Sequence, residues 1–281
     1  MRLTTRHALM GAFAAVLLAA VAGGALHTLR APTVPEMPGA AEEALPLPPE
    51  SPRVADSPDY ARCLDQLRDD AAGALAFAES WRNTNGGDGA RHCEALAMLA
   101  LGDAERAAPR LQALGAEERI GIAARAAVFG QAGQAWMAAG QPARAYAAVT
   151  LGLGLAPADP DLLVDRAAIA GALGRFNEAL ADAARAAELD PDRPDAWVFR
   201  AAALRHLDRA QEAMRDVERA LAVEADNPEA LLERGILRQL NGDLDGARKD
   251  WERAVEVAPE SAAGDLAQQN LELSDAGAAG R

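Results

Sequence analysis

Two cysteines are the residues whose types and spacing most directly suggest chemistry. Cys63 and Cys93 are the only cysteines of the chain. In an oxidising compartment an even pair at this spacing predicts a structural disulfide, with two unlinked buried thiols or a redox-active pair as the alternatives. A redox role is disfavoured because the chain has no C-x-x-C motif and no neighbouring cluster of cations to activate a thiol. We therefore expect a Cys63–Cys93 disulfide.

The histidines do not suggest a catalytic or metal site. His92 adjoins Cys93, but neighbouring residues of a helix point about 100° apart and cannot readily act as one unit. His206 falls near a predicted helix end, where a cation is favourable, and both are interpreted as ordinary helical histidines. The sequence also lacks a P-loop, G-x-S-x-G, H-E-x-x-H and a dinucleotide fingerprint. We therefore expect no catalysis, no cofactor and no metal.

Carboxylates recur at one phase of the chain instead of converging. Asp161, Asp195 and Glu229 each fall in the first turn of a predicted helix. A negative charge there meets the positive end of the helix macrodipole, and this is the favoured interpretation. The alternative is an acidic stripe along one face that meets a basic ligand.

The composition predicts an all-α protein with an acidic surface. Hydrophobic residues make up 50% of the chain and aromatic residues 4%, and there are no alternating Val, Ile and Thr runs of the kind that indicate strands. Residues 1–30 hold three basic residues and no acidic ones, so the rest of the chain has 25 basic and 42 acidic residues. Such a surface repels phosphate backbones, and nucleic acid is therefore not expected as a partner.

Residues 1–30 have the features of a signal peptide or an N-terminal membrane anchor. A short basic segment precedes an uncharged apolar run at residues 8–26, and Ala-Val-Ala at 20–22 supplies a cleavage site. If uncleaved, the run is long enough to span the inner membrane, with the positive segment in the cytoplasm. Both alternatives export the remaining chain. We expect a periplasmic protein, either soluble or tethered to the inner membrane.

Residues 31–57 separate this leader from the rest of the chain. They contain seven prolines and four glutamates. Proline removes a backbone donor and fixes φ, so neither a helix nor a sheet can run through this segment. The composition predicts a disordered, semi-stiff linker.

Proline and small residues recur with a period of about 34 residues, and such self-similarity is the signature of a repeat architecture. Pro157 and Pro191 lie one period apart, and Pro259 lies two periods further on. Gly140, Gly174 and Gly242 share a second phase, in which Asp208 is the exception. Glycine there can end one helix in a left-handed conformation, and the proline separates one unit from the next. Three more phases are small throughout: Gly133, Ala167, Ala201 and Gly235; Ala145, Ala179, Ala213 and Ala247; Gly152, Ala186, Ala220 and Ala254.

This pattern resembles the tetratricopeptide repeat in its length, its small residues at the eighth, twentieth and twenty-seventh positions, and its closing proline. The resemblance implies a right-handed superhelical α-solenoid of tandem helix-turn-helix repeats. It implies regular repeats over 126–259, divergent repeats over 58–125, and a capping helix and tail over 260–281. The pattern predicts helices near 59–68, 71–82, 89–101, 103–114, 118–139, 142–154, 160–173, 176–188, 194–207, 210–222, 228–241, 244–256 and 262–273.

The resemblance also implies a concave groove lined by the first helix of each repeat. Chaperone-binding members of the family bind a terminal carboxylate through Lys and Asn, which this chain lacks at the fifth and ninth repeat positions. A shallow apolar groove for an extended or helical segment is implied instead. The predicted groove residues are Gln134, Met137, Val164, Ala168, Val198, Ala202, Arg205, His206, Leu232, Ile236 and Gln239.

The function expected from these observations is a scaffold or adaptor of the bacterial cell envelope. It would bind a protein or peptide in the concave groove and perform no catalysis. A first alternative is a homo-oligomeric structural envelope protein whose groove packs against a neighbouring subunit. A second is a thiol-redox protein that uses Cys63 and Cys93.

Overall fold

A computed structural model describes the backbone of residues 53–279 and the side chains of residues 53–275. This part of the chain contains thirteen α-helices and no strand, which confirms the predicted all-α class. The helices are α1 (Pro58–Asp69), α2 (Ala71–Asn83), α3 (Gly87–Ala100), α4 (Ala104–Gly115), α5 (Ile122–Ala138), α6 (Pro142–Leu155), α7 (Pro160–Ala172), α8 (Phe176–Leu189), α9 (Pro194–His206), α10 (Ala210–Val223), α11 (Pro228–Leu240), α12 (Leu244–Val257) and α13 (Ala262–Ala279).

Successive helices pair into hairpins that stack as an α-solenoid. We call α5, α7, α9 and α11 the inner helices and α6, α8, α10 and α12 the outer helices. Each inner helix packs against the next inner helix along the array, whereas each outer helix packs mainly against the inner helices on either side of it. The inner helices therefore form one continuous face. α13 covers α11 and α12 at the end of the array, as the predicted capping helix should.

The small-residue phases allow the close packing that the sequence predicts. Ala145, Ala179, Ala213 and Ala247 are all buried. A Cβ atom added at Gly133 would lie 2.3 Å from Val149 Cγ2, and one added at Gly235 would lie 2.3 Å from the indole Nε1 of Trp251. A larger side chain at these two glycines would force the paired helices apart.

A left-handed residue ends the first helix of each regular hairpin. Gly140, Gly174 and Gly242 have φ of 69°, 72° and 84°. Asp208, the exception in the sequence, adopts φ of 60° and keeps the same turn. Aspartate tolerates this region better than most residues with a Cβ, so the turn survives the substitution.

Two helix boundaries differ from the sequence prediction by more than two residues. α5 begins at Ile122, four residues later than predicted, because Gly121 has extended backbone angles (φ −58°, ψ 145°) ahead of the helix. α13 continues to Ala279, six residues beyond the predicted end. The predicted leader and most of the predicted linker lie outside the described residues. None of the helices within 53–279 combines the length and the hydropathy that a membrane-spanning helix needs.

Candidate partner-binding surface

The first hairpins are joined by a disulfide. Cys63 on α1 and Cys93 on α3 are bonded, with their Cα atoms 6.3 Å apart. Both are fully buried, in a cluster of apolar residues that includes Ala74, Ala78 and Ala97. Because reactive cysteines need access to solvent and an electropositive neighbourhood, this buried bond disfavours the thiol-redox alternative.

A buried hydrogen-bonded chain lies next to the disulfide. The phenol of Tyr60 on α1 lies 2.6 Å from His92 Nδ1, and Gln131 Oε1 on α5 lies 2.6 Å from His92 Nε2. A neutral imidazole that accepts from the phenol and donates to the amide oxygen satisfies both contacts. Burial lowers the pKa of His92 and raises that of Tyr60 to about 12. His92 is therefore a neutral structural link between three helices.

The regular hairpins share a repeated ion pair that the sequence analysis missed. Arg166, Arg200 and Arg234 recur at the repeat period on inner helices, and each points at an aspartate on the next outer helix. In the middle pair, Arg200 donates to both oxygens of Asp216, from Nε at 2.7 Å and from Nη2 at 2.5 Å. The other bidentate pairs are Arg166–Asp182 and Arg234–Asp250. We call these three pairs the ion-pair ladder.

The ion-pair ladder is absent from the first regular hairpin, which α5 and α6 form. The matching positions on α5 and α6 are Ala132 and Ala148, and both are fully buried. One hairpin earlier, Glu94 is buried on α3 and forms ion pairs with Arg82 at 2.9 Å and with Arg110 at 4.0 Å. The contact between Glu94 and Arg110 thus reverses the order of charges along the hairpin. The two equivalent positions of a hairpin therefore hold an arginine and an aspartate in the ladder, two alanines in α5 and α6, and a glutamate followed by an arginine in α3 and α4.

The predicted groove residues lie along the inner helices, with unequal exposure. Val164 and Val198 are buried between hairpins. His206 and Gln239 are exposed, and the others are partly exposed. Partly exposed members that form the apolar surface include Ala168, Ala202, Leu232 and Ile236.

A cavity of about 210 Å³ opens between α7 and α9. Ala168, Ala202 and His206 from the predicted set line it, together with Phe176 and Phe199. The ring of Phe176 stacks on the imidazole of His206 with centroids 4.1 Å apart. Burial, followed by the charge of Arg205, lowers the pKa of His206. The lowered pKa disfavours the positive charge that the end of a helix would otherwise favour on this imidazole.

The one arginine predicted in the groove is neutralised there. Arg205 Nε donates to Glu233 Oε1 at 2.5 Å, and Nη2 donates to Oε2 at 3.2 Å. The Glu233 carboxylate is buried. Because this pair joins α9 to α11, it couples successive hairpins, and the guanidinium is not free to bind a terminal carboxylate.

Four carboxylates on the inner helices form what we call the acidic row: Asp161, Asp165, Asp195 and Glu229. Asp161 pairs with Arg193 at 2.5 Å. The other three form no ion pair within residues 53–275. The N-cap hydrogen bonds of α7 and α11 come from Asp159 and Asn227 instead. Asp161, Asp195 and Glu229 nevertheless lie in the first turns of α7, α9 and α11, where the sequence analysis placed them.

Three carboxylates of the acidic row, Asp165, Asp195 and Glu229, have raised pKa values. Burial, together with the charges of Asp161 and Asp159, raises the pKa of Asp165 to about 7, against a hydrogen bond from Gln134 that lowers it. Desolvation is also the main cause that raises the pKa values of the half-buried Asp195 and of Glu229, which keeps contact with solvent. The charge of Asp195 adds to the rise at Glu229, so the repulsion runs from one inner helix to the next.

The residues that the sequence analysis missed differ in whether the repeat pattern of the sequence could have revealed them. The ladder was visible, because its arginines and aspartates recur at the period already found. Asp165 has no such signal, since the equivalent residues are Phe199 and Glu233. Glu94 and Arg110 belong to the divergent hairpins, and the contacts of His92 with Tyr60 and Gln131 join α3 to α1 and α5. Coordinates are required to pair these residues. Within residues 53–275, no three His, Cys, Asp or Glu side chains are arranged to hold a metal ion.

Comparison with known proteins identifies the fold. No protein-family model matches the chain, and no curated protein matches its sequence. Among solved structures, the APC/C hetero-tetramer Cut9–Hcn1 matches with a TM-score of 0.60 at 15% identity, over 77% of this chain and 42% of the other. MamA from Desulfovibrio magneticus RS-1 matches with a TM-score of 0.50 at 16% identity, over 66% and 97%. The first TPR of Spaghetti (RPAP3) bound to an HSP90 peptide matches with a TM-score of 0.40 at 30% identity, over 42% and 93%.

The stacked hairpins and the repeat register define a helical-repeat solenoid. The chain is a tetratricopeptide-repeat protein in fold, which confirms the resemblance predicted from its sequence. It spans less than half the length of the Cut9-complex chain that it matches.

Proposed function

We propose that this protein is a non-enzymatic adaptor that binds a protein or peptide partner on its inner face. The observation that supports the proposal most directly is the uncovered surface of α5, α7, α9 and α11. Ala168, Ala202, Leu232 and Ile236 remain partly exposed there, although Leu232 and Ile236 also pack against the apolar cluster that α13 completes. A continuous apolar surface of this kind is typical of sites that receive an extended or helical segment.

The proposed location is the cell envelope, either free in the periplasm or tethered to the inner membrane. Two features support it. The apolar run at residues 8–26 has the pattern of an export signal or an anchor. The buried Cys63–Cys93 bond is of the kind that persists in oxidising compartments. Fractionation of cells that express the tagged full chain tests this location, and recovery in the cytoplasmic fraction would refute it.

Blocking the inner face tests the proposed function. Ala202→Trp would fill the cavity between α7 and α9, whereas Ala222→Trp places the same side chain on the exposed surface of α10. We expect proteins cross-linked to the full chain in envelope extracts to be lost with Ala202→Trp and kept with Ala222→Trp. Equal retention by both variants, with unchanged circular dichroism, would contradict the proposal.

Self-association is the second candidate, and one observation favours it. Leu266 and Leu273 on the terminal helix α13 are 50% and 70% exposed. They lie two helical turns apart, on one helical face at the open end of the array. Light scattering of the full chain and of Leu266→Gln with Leu273→Gln distinguishes this candidate, because a dimer held through α13 would dissociate in the variant.

A further inference from the structure

The apolar stripe of each inner helix continues into a carboxylate at its amino-terminal end. On α9, Asp195 lies three and seven residues before Val198 and Ala202, and on α11, Glu229 precedes Leu232 and Ile236 by the same intervals. Residues at these intervals occupy one face of a helix. The carboxylates therefore border the same surface that the apolar residues form.

These carboxylates lack the arginine partners that the buried aspartates of the outer helices possess. Asp182, Asp216 and Asp250 are each held by a bidentate arginine. Asp195 and Glu229 have no ion-pair partner in the part of the chain that the structure describes. Desolvation and neighbouring carboxylates raise the pKa of each, while the charge of Arg193 opposes the rise at Asp195. A positive charge placed beside them would relieve this repulsion.

The basic groups near the row are engaged mainly by other carboxylates, although the charge of Arg193 also acts on Asp195. Arg193, the cation closest in the chain, is shared between Asp161 at 2.5 Å and Asp190 at 3.3 Å. Arg205 is bound by Glu233. Residues 31–52 contain four glutamates and no basic residue, so that segment would be repelled. Among the described residues, the remaining unpaired carboxylates leave room for a complementary charge from a partner.

We infer that the inner face binds a polypeptide segment whose lysine or arginine side chains contact the acidic row while its apolar side chains pack on Ala168, Ala202, Leu232 and Ile236. This inference rests on the proposed function and adds the chemical class of the partner. A basic, partly apolar segment satisfies both halves of the surface at once, whereas an acidic segment would add to a repulsion that is already present.

Three synthetic peptides test the inference on the full chain. Packed helices lie about 8–10 Å apart, so the four inner helices span about 30 Å, the length of an extended peptide of about ten residues. The peptides alternate Leu with Lys, Leu with Glu, and Ser with Lys. We expect the Leu/Lys peptide to bind at least about tenfold more tightly than either of the others.

Two variants locate the charge effect. Asp195→Asn combined with Glu229→Gln should weaken binding of the Leu/Lys peptide about three- to tenfold. Glu218→Gln removes an exposed carboxylate from α10 and should leave the affinity unchanged. Equal binding of the Leu/Glu or Ser/Lys peptide, or an equal effect of the two variants, overturns the inference.

The same titrations separate this inference from the proposed function. If the Leu/Glu peptide binds and Ala202→Trp weakens it, the inner face is a binding surface and only the inferred charge is wrong. If Ala202→Trp leaves the binding of every peptide unchanged, the inner face is not the site and the proposed function fails with the inference.

Discussion

The first hairpins and the regular hairpins of this solenoid are held together by different chemistry. From α7 to α12, one bidentate Arg–Asp pair joins the two helices of every hairpin. In α1 to α4, a buried disulfide and the chain from Tyr60 through His92 to Gln131 take this place. Between the two regions, α5 and α6 pack through Ala132 and Ala148 alone at the ladder positions.

This difference shows which features the stack requires. The small residues at the eighth, twentieth and twenty-seventh repeat positions occur wherever the hairpins are regular, with or without an ion pair. Close packing of backbones is therefore the shared requirement, and the polar link is interchangeable. Buried ion pairs contribute little net stability when intact, but an unpaired charge is costly. The regular hairpins are consequently more sensitive to the loss of one partner than to the loss of both.

The disulfide gives the largest expected effect. Cys63→Ala combined with Cys93→Ala should lower the free energy of unfolding of the first hairpins by about 3–4 kcal/mol, because the bond closes a loop with a sequence separation of 30. Hydrogen exchange should accelerate in α1 to α4 and remain unchanged in α9 to α12. Urea unfolding of the native chain with and without a reductant is the control. Uniform loss of protection along the whole array would show that the two regions are not distinct.

Breaking one ion pair of the ladder should have the next largest effect on the free energy of unfolding. Asp216→Ala leaves Arg200 partly buried without its partner and should cost about 2 kcal/mol. Arg200→Ala combined with Asp216→Ala copies the arrangement of Ala132 and Ala148, and we expect this double variant to cost less than Asp216→Ala. Glu218→Ala, on the exposed side of the same helix, is the control. Urea unfolding measures all three, and a double variant that is less stable than Asp216→Ala would contradict the comparison.

The Tyr60–His92 contact has a smaller expected effect. Tyr60→Phe leaves His92 Nδ1 buried without a donor and should destabilise the first hairpins by about 1–2 kcal/mol. The pKa of His92 is lowered in the folded chain. Its contribution is therefore complete above the unfolded value of about 6.5 and is lost as the pH falls below it, because only the unfolded chain takes up the proton. Thermal unfolding between pH 5 and pH 8 would reveal this slope, which His92→Gln should reduce.

Asp165 should give the smallest effect, with the opposite pH slope. Its folded pKa of about 7 exceeds the unfolded value, so the folded chain holds the proton more firmly and stability falls as the pH rises from about 4 to about 7. Asp165→Asn should therefore stabilise the protein by about 1 kcal/mol at pH 8, since Asp165 keeps some solvent contact. The gain should vanish near pH 4. A gain of equal size at both pH values would exclude ionisation as its cause.

The sequence predicted the fold well, because the repeat imposes one pattern several times. Four registers of glycine and alanine located the regular hairpins, and the helix bounds from α6 to α12 agree with the structure to within one residue. Asp208 did not disturb the prediction, because its turn keeps the left-handed conformation. The start of α5 was misplaced because Gly121 provides no distinctive stop signal in the sequence.

The surface was less predictable than the fold. The family positions located the inner face, but they did not show that Val164 and Val198 are buried between hairpins or that Glu233 neutralises Arg205. Those outcomes depend on the distance between successive hairpins, which a single repeat does not encode. The phase shared by Asp161, Asp195 and Glu229 was visible. Only their partners, or the absence of partners among the described residues, distinguish an acidic row from ordinary first-turn charges.

Site-specific photo-cross-linking in living cells tests the central claim most directly. A photoreactive side chain at Ala202 probes the inner face, and one at Ala222 probes the outer surface of the adjacent helix in the same hairpin. We expect a discrete partner to be captured at Ala202 and not at Ala222, with the capture reduced by Asp195→Asn combined with Glu229→Gln. Capture of the same protein at Ala222, or at both positions equally, would contradict the claim that the inner face is the working surface.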